Sequence, residues 1–509
     1  MIGRKSFLMY LNKIISAVTG ALGMFFIARF MQNPSYNYGV VSFALSFVSI
    51  FTIISTFFNK AHRKRISGKE PEAECMGTYL SLHTFATALM IIFVFGALWS
   101  WENILGRGFQ SPLHRDVIYI ILLFKGIDSL WSIARVTFIG KREIAKSEVL
   151  TFVNQSVPTI FIIYVAISGG GAIELALTYV AGALLALLIG IFFLIDVEIK
   201  KPNWRLAKRY WEFSWPSFTT KLFSKFGNRV DVVMVQLFWS SVNVGYYAAA
   251  RRFSLLTTGM AASIATVMFP SISNMHANGD IEKIKSTVKV AMRYISMLSM
   301  PVIAFILFFP DRIIYILLSG DFLPAVPVLR ILAFQGFIAS YFKPMNQIIP
   351  GMDKPKVMMK VGVTANLINI TLNVILIPDS LFGVPLIGLK EIGAATATLT
   401  AAIVSSVLGY YIVDDMIDFK IPKNPIYHIS SATITGFSLY TLHRYVLPIT
   451  RFYHLFGYGL AMLGIYTGIL YLVGEFTKED WNYIMETIHP GELWRYIKDE
   501  LTGKDSDKD

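Results

Sequence analysis

Five cations stand inside two apolar runs between Phe213 and Pro270 of the 509-residue chain. Lys221, Lys225 and Arg229 recur every fourth residue and therefore share one face of a helix. Arg251 and Arg252 follow in the second run, with one acid, Asp231, between the two sets. Ammonium and guanidinium groups are the natural ligands of phosphate and diphosphate oxygens. At mid-bilayer each charge costs about 2.5–3.5 kcal/mol, so the cluster is expected beside protein or water, as one wall of a cationic cavity. Two plainer readings stand beside that one. Lys221 could snorkel along its stem to the cytoplasmic headgroups. Asp231 and Arg251 fall at matching depth in a hairpin turning near Ser241 and could form a structural ion pair, which leaves the hairpin's balance positive.

A second set lies in the first half. Lys125, Asp128, Ser132 and Arg135 are spaced i, i+3, i+7 and i+10, within about 80° of one another on a helix. Lys125 and Asp128 can neutralise each other locally, and Arg135 either joins the cavity or snorkels. Asp128 and Asp231 are the candidates for coupling Na⁺ or H⁺, or for simple pairing. Sugars need aromatic and amide surfaces, which Trp239, Tyr246, Tyr247, Asn366 and Asn369 could supply. The Asn366, Asn369, Asn373 stripe could equally hydrogen-bond helix to helix, and the aromatics could form an interfacial belt. One cysteine and eight scattered histidines give no metal-ligand spacing. No phosphate-binding glycine loop is present, so no cofactor and no ATP hydrolysis are expected.

The elements that must carry these groups are membrane helices. The chain is 54% hydrophobic and 14% aromatic, and its apolar runs recur from end to end. Windows of about 19 residues give roughly fourteen spans: 7–31, 38–60, 76–100, 116–140, 147–168, 172–195, 213–239, 242–270, 288–309, 326–349, 357–379, 389–413, 426–447 and 455–474. Basic residues fall about nineteen to five on one side, which puts both termini in the cytoplasm. The net charge of +13 thus reports topology, and no nucleic-acid motif accompanies it. The start does not read as a cleaved signal peptide. From Thr477 a capping pattern precedes Trp481, Ile484, Met485 and Ile488 on one side of a tail helix.

Two short echoes suggest an internal repeat. Ser35, Asn37 and Gly39 follow the first span, and Ser241, Asn243 and Gly245 follow the seventh, 206 residues on. Gly140-Lys-Arg ends span four and Gly351-Met-Asp ends span ten. The expected organisation is two six-helix bundles in parallel orientation, 1–199 and 213–413, then two additional spans at 426–474 and a cytoplasmic tail from 475.

Three segments carry a resemblance: FIARFMQNPSYNYGVVSFALSF at 26–47, DVVMVQLFWSSVNVGYYAAARRF at 231–253, and NLINITLNVILIPDSLFGVPLIGLKEIGAATATLTA at 366–401. They resemble the polysaccharide-transport branch of the multidrug/oligosaccharidyl-lipid/polysaccharide exporter superfamily, home of Wzx-type flippases. The resemblance implies an all-α, V-shaped, MATE- and MurJ-like pair of bundles. It also implies a cargo: a polyprenyl-diphosphate-linked oligosaccharide carried from the inner to the outer leaflet by alternating access. The expected setting is the cell membrane, among membrane lipids and glycan-assembly proteins. The insertion SLFGVPLIGLKE departs from the pattern.

Two other classes compete. A MATE-like cation exporter would want acids in its first span, which has none. A membrane enzyme of glycan assembly would want a large outer loop, whereas the longest here run to about 15 residues. A non-enzymatic flippase is the reading that fits.

Overall fold

The computed structural model describes residues 2–480 apart from 69, 105–108, 110 and 228. Side chains are described for all of these except 2–11, 13, 14, 217, 219–221, 223, 224 and 255–267. The tail helix expected around Trp481 to Ile488, and the Lys221 side chain, lie outside the described residues. The protein is α-helical almost throughout and divides into two compact units, Met1–Val233 and Met234–Asn482. Ten helices of the described residues are long and apolar enough to cross a membrane, as a multi-pass membrane protein requires.

The first unit holds α1 (Ile2–Phe30), α2 (Pro34–Ser55), the short polar α3 (Asn59–Ile66), α4 (Glu72–Asn103), α5 (Pro112–Gly140), α6 (Ile144–Ile167), α7 (Ala172–Leu194) and α8 (Trp204–Gly227). Helix α5 packs on α7 and α2, α6 on α1 and α7, and α8 on α2 and α4. Lipid is as apolar as leucine, so such contacts depend on close fit and small residues more than on solvent exclusion. Gly182 of α7 shows this: a Cβ there would stand 2.5 Å from the Pro158 ring of α6.

At one end of the unit, α3 is held by a buried polar knot. His62 is fully buried and stacks on Tyr79, centroids 3.8 Å apart. Its Nδ1 meets the Tyr210 hydroxyl at 2.9 Å, and its Nε2 meets Thr137 Oγ1 at 2.9 Å. Thr137 donates its own proton to the Ile133 carbonyl, so His62 donates through Nε2 and accepts from Tyr210 through Nδ1. This is the neutral imidazole, satisfied on both sides.

The chain crosses between units in α9 (Val230–Phe238). The run read as one span over 213–239 is therefore two helices, α8 and α9, broken after Gly227. The second unit continues with α10 (Ser241–Ala277), α11 (Ile281–Phe308), α12 (Pro310–Leu317), α13 (Val326–Tyr341), the short α14 (Lys343–Asn346) and α15 (Ile348–Gly351), α16 (Pro355–Leu376), α17 (Lys390–Ile417), α18 (Asn424–Tyr445) and α19 (Phe452–Leu472). The expected span 326–349 is likewise interrupted: α13 ends at Tyr341, and Pro344 stands second in the new turn α14. The insertion before α17 is a β-hairpin in which Ser380 pairs with Pro385 and Leu381 with Val384. Its turn residues, Phe382 and Gly383, both have positive φ.

Beyond α19 the chain is tied back to α11 by charge. Arg293 Nε donates to Glu475 Oε1 at 2.7 Å, and its two terminal nitrogens reach the two Asp480 oxygens at 2.9 and 2.8 Å. Tyr294 and Asn424 add neutral donors to the same two carboxylates. A guanidinium gripping a carboxylate in two-pronged fashion fixes angle as well as distance.

The two sequence echoes take the same geometry in their own units. Asn37 and Asn243 each sit in the first turn of a helix, α2 and α10. Gly140 and Gly351 each close one, α5 and α15, with the residue two places on at positive φ: Arg142 at 63° and Asp353 at 59°. In both, the next amide reaches back five residues, Glu143 to the Phe138 carbonyl and Lys354 to the Ile349 carbonyl, the Schellman closure of a helix end. Both glycines also lie against an isoleucine. A Cβ at Gly140 would be 2.1 Å from Ile66 Cγ2, and one at Gly351 would be 2.6 Å from Ile272 Cγ2.

Gly140→Ala and Gly351→Ala should each destabilise, by about 1–3 kcal/mol, because an inserted methyl must displace a packed neighbour. Gly96→Ala in α4, where nothing lies within 4 Å, should be neutral or stabilising. Thermal melting in detergent ranks the three, and equal shifts would contradict the packing. A pH effect follows from His62. Burial above all, then His83 and Arg63, pushes it down from 6.5 to about 3. The unfolded chain binds the extra proton between those values, so this stability is full above 6.5 and falls as pH drops. The melting temperature should decline from about pH 7 to about pH 5, less steeply in His62→Asn.

Candidate functional site

Each unit carries a polar seam at lipid depth. In the first, α5 presents Lys125 and Asp128, paired at 3.0 Å. Asp128 also accepts from Trp131 Nε1 at 2.9 Å and from Asn154 Nδ2 of α6 at 3.2 Å. Arg135 donates from Nε to Thr151 Oγ1 of α6 at 3.0 Å. On the other side of α6, Glu148 takes the Asn12 amide of α1 at 2.7 Å, and Gln155 takes the Ser16 hydroxyl at 2.6 Å. The local pairing expected of Lys125 and Asp128 is present. With three donors on Asp128, a coupling cation would have to displace Lys125.

Sequence reasoning missed the α6 side of this seam. Glu148, Thr151, Asn154 and Gln155 recur at i, i+3, i+6 and i+7 within an apolar run, the same signal that singled out α5. Two amide oxygens of the seam, on Asn12 and Asn154, are buried without a hydrogen-bond partner among the described residues.

In the second unit the seam joins α16, α17 and α10. Asn373 donates to Asn369 Oδ1 at 3.2 Å, Asn369 donates to Thr398 Oγ1 at 3.4 Å, and the buried Tyr247 hydroxyl lies 3.5 Å from the same Thr398 oxygen. Asn369 and Tyr247 are therefore tied across helices through Thr398, while Asn373 bonds to Asn369 within α16. Asn366, one turn earlier on α16, is half-buried. Arg251 stands over Tyr247 with its guanidinium carbon 6.0 Å from the ring centre. Tyr246 turns instead to Phe322, edge-on at 6.4 Å. Trp239 is pinned by donating to the Ile377 carbonyl at 2.7 Å, with Lys390 over its face at 4.4 Å. Beside it, Asn243 donates to the buried Glu391 at 2.7 Å.

The remaining cations follow the chain between these seams. Lys225 is half-buried in the last turn of α8, Arg229 is exposed just before α9, and Arg252 is half-buried on α10. Asp231 is buried in the first turn of α9 and accepts the Val232 amide at 2.9 Å. Lys225, Arg229, Asp231, Arg251 and Arg252 all engage in contacts of their own, so the positive surplus here is one of number.

A double-mutant cycle on Lys125 and Asp128 should show coupling of about 0.5–3 kcal/mol in thermal stability. Lys125→Gln alone, which strips Asp128 of its charged partner, should cost more than Lys125→Gln combined with Asp128→Asn. Additive losses would remove the pair from the account.

Comparison with known proteins gives the family and the fold. The family model described as "Polysaccharide biosynthesis protein" matches residues 26–327. A Haloferax volcanii protein named probable low-salt glycan biosynthesis flippase Agl15 is 23% identical over 84% of this chain and 86% of its own length. The probable flippase AglR of the same organism is 27% identical over 44% of this chain and 46% of its own. Among solved structures, the lipid II flippase MurJ in an inward closed conformation superposes with a TM-score of 0.71, at 18% identity, over 91% of this chain and 99% of that one. An inward-facing MATE family multidrug transporter of the MOP superfamily gives 0.63, at 13% identity, over 79% of this chain and 95% of that one. Both structures share the fold. With its family match covering more than half of its length, the chain belongs to the polysaccharide biosynthesis protein family.

Proposed function

We propose that this protein is a flippase which carries a polyprenyl-diphosphate-linked oligosaccharide from the cytoplasmic to the outer leaflet by alternating access. The observation that supports this most is likeness along nearly the full length of both chains to a relative named as a glycan biosynthesis flippase. The chemistry of the chain agrees. A diphosphate brings about two negative charges, and the α8–α10 stretch offers Lys221, Lys225, Arg229, Arg251 and Arg252 against Asp231 alone. Tyr246 and the half-buried Asn366 are the residues assigned to sugars, Tyr247 and Asn369 being taken up in the seam with Thr398, and Lys125 and Arg135 add cations in the first unit.

Outward movement of the anion is itself downhill in an inside-negative cell, by about 2.3 kcal/mol per charge per 100 mV. The membrane potential can therefore drive the step without a nucleotide. Na⁺ or H⁺ would add to that drive through Asp128 or Asp231. The excess of basic residues on one side supports cytoplasmic termini in the cell membrane. The protein itself forms and breaks no covalent bond in this scheme; glycan-assembly enzymes would supply its cargo and consume it.

The test is reconstitution in liposomes with a labelled polyprenyl-diphosphate sugar, scored by its arrival in the outer leaflet. Arg229→Gln combined with Arg252→Gln should slow that arrival by about tenfold or more, a loss of about 1.4 kcal/mol or more of anion stabilisation, with melting temperature little changed. Wild-type rates in the double variant would overturn the cationic assignment. Efflux of an organic cation in place of the lipid would overturn the cargo.

A further inference from the structure

The first unit contains a large apolar cavity that neither seam uses. It measures about 940 Å³ and runs between α2, α4 and α8, with ten aromatic rings among its 22 lining residues. On α8 the rings form a rail. Trp211 stacks on Trp215 at 5.7 Å, and Trp215 stacks on Phe218 at 5.9 Å. Phe57, in the turn after α2, meets Phe218 at 5.2 Å. Trp211 and Trp215 remain 53% and 52% exposed, so protein does not fill this space.

Two features identify what does. The first is depth. An interfacial belt holds tryptophans at one level, whereas this lining descends α4 from Thr78 to Phe93, about 22 Å at 1.5 Å per residue. A diacyl phospholipid reaches only through its own leaflet, about 15 Å of a ~30 Å core. The slot is a single one and longer than a leaflet, which suits one long chain that crosses the midplane. The second is charge. The polar lining, Thr78, Ser81 and Asn203, gathers at one end of the slot. Lys201, Arg205 and Lys208 stand exposed on the segment that carries Trp204 and Ala207 into the lining. The segment is held close to α4: the Lys200 carbonyl lies where a Cβ of Gly77 would be, 1.7 Å away.

We infer that this groove holds the polyprenyl chain of a lipid diphosphate, with its headgroup against the basic rim of Lys201, Arg205 and Lys208. The inference deepens the transport reading and rests on it for the identity of the lipid. Flat rings stack well against the planar, methyl-bearing double bonds of isoprene units. A site for the tail apart from the cationic α8–α10 stretch would let the lipid stay engaged while its sugars move.

The test uses the full chain in liposomes with a long-chain polyprenyl diphosphate carrying a benzophenone at mid-chain. Photolabel should map to peptides containing Phe57 or Trp211–Phe218. Unlabelled polyprenyl diphosphate should displace it, while geranyl diphosphate, with the same head and a short tail, and phosphatidylglycerol should compete about tenfold more weakly or worse. Ala207→Phe, which fills the slot, and Arg205→Gln with Lys208→Gln, which strips the exposed rim, should each cut labelling by about tenfold. Equal displacement by phosphatidylglycerol would make the groove a general lipid surface and overturn the inference. So would labelling that neither variant changes. Transport by the wild type with no label in the groove would sink the groove alone. Labelling as expected in a protein that flips nothing would sink the transport reading and leave the lipid site standing.

Discussion

Charge at lipid depth has to be answered by protein, because lipid offers no hydrogen bonds and little dielectric screening. That cost accounts for most of what is polar in both units. Lys125 and Asp128 meet on one helix, and Asp128 then takes a tryptophan and an asparagine as well. Glu148 is answered by Asn12, 136 residues away. In the second unit the answer is neutral, a line of amides and hydroxyls from Asn373 to Tyr247. Each seam stitches three helices that apolar contact alone would hold weakly in lipid.

The same constraint governs the backbone. A helix that stops near other helices must close its last carbonyls within protein, and both units do so with one turn. The pairs Gly140/Arg142 and Gly351/Asp353 share a positive φ at the third residue, a five-residue reach by the following amide, and a glycine against isoleucine. Recurrence of one solution at corresponding places is what a duplicated bundle would leave behind. It is also why a methyl group at either glycine is costly.

The chemistry assigned to the chain divides along the same physical line. An amphiphile with a diphosphate head and a long hydrocarbon tail needs cations for one end and an apolar slot for the other. The chain has both: five basic side chains along α8–α10, and an aromatic groove between α2, α4 and α8 with basic residues at its polar end. The knot around His62 and the Arg293 clamp use neither end. They fix α3 and the segment after α19 to their own units.

By itself the sequence determined everything that depends on neighbours in the chain. Apolar length marked the helices, and the i, i+3 spacing of Lys125 and Asp128 foretold an ion pair that is present at 3.0 Å. The echo at Gly140 and Gly351 was legible because a helix-ending turn is written in three or four adjacent residues. Tertiary structure alone decided whatever needs a partner far along the chain. Asn369 could be read as a sugar ligand or, with Asn366 and Asn373, as helix stitching, until Thr398 and Tyr247 came within reach. The polar stripe on α6 was legible in its spacing, but its partners on α1 and α5 were not, because Thr151 and Asn154 look alike whether they meet lipid, water or the side chains of α5. The groove was invisible for the same reason: only α2 and α4 beside Trp211 and Trp215 turn the faces of these rings into a slot. Helicity is a short-range property of lipid-solvated backbone, while a site is a coincidence of distant side chains, and only packing brings those together.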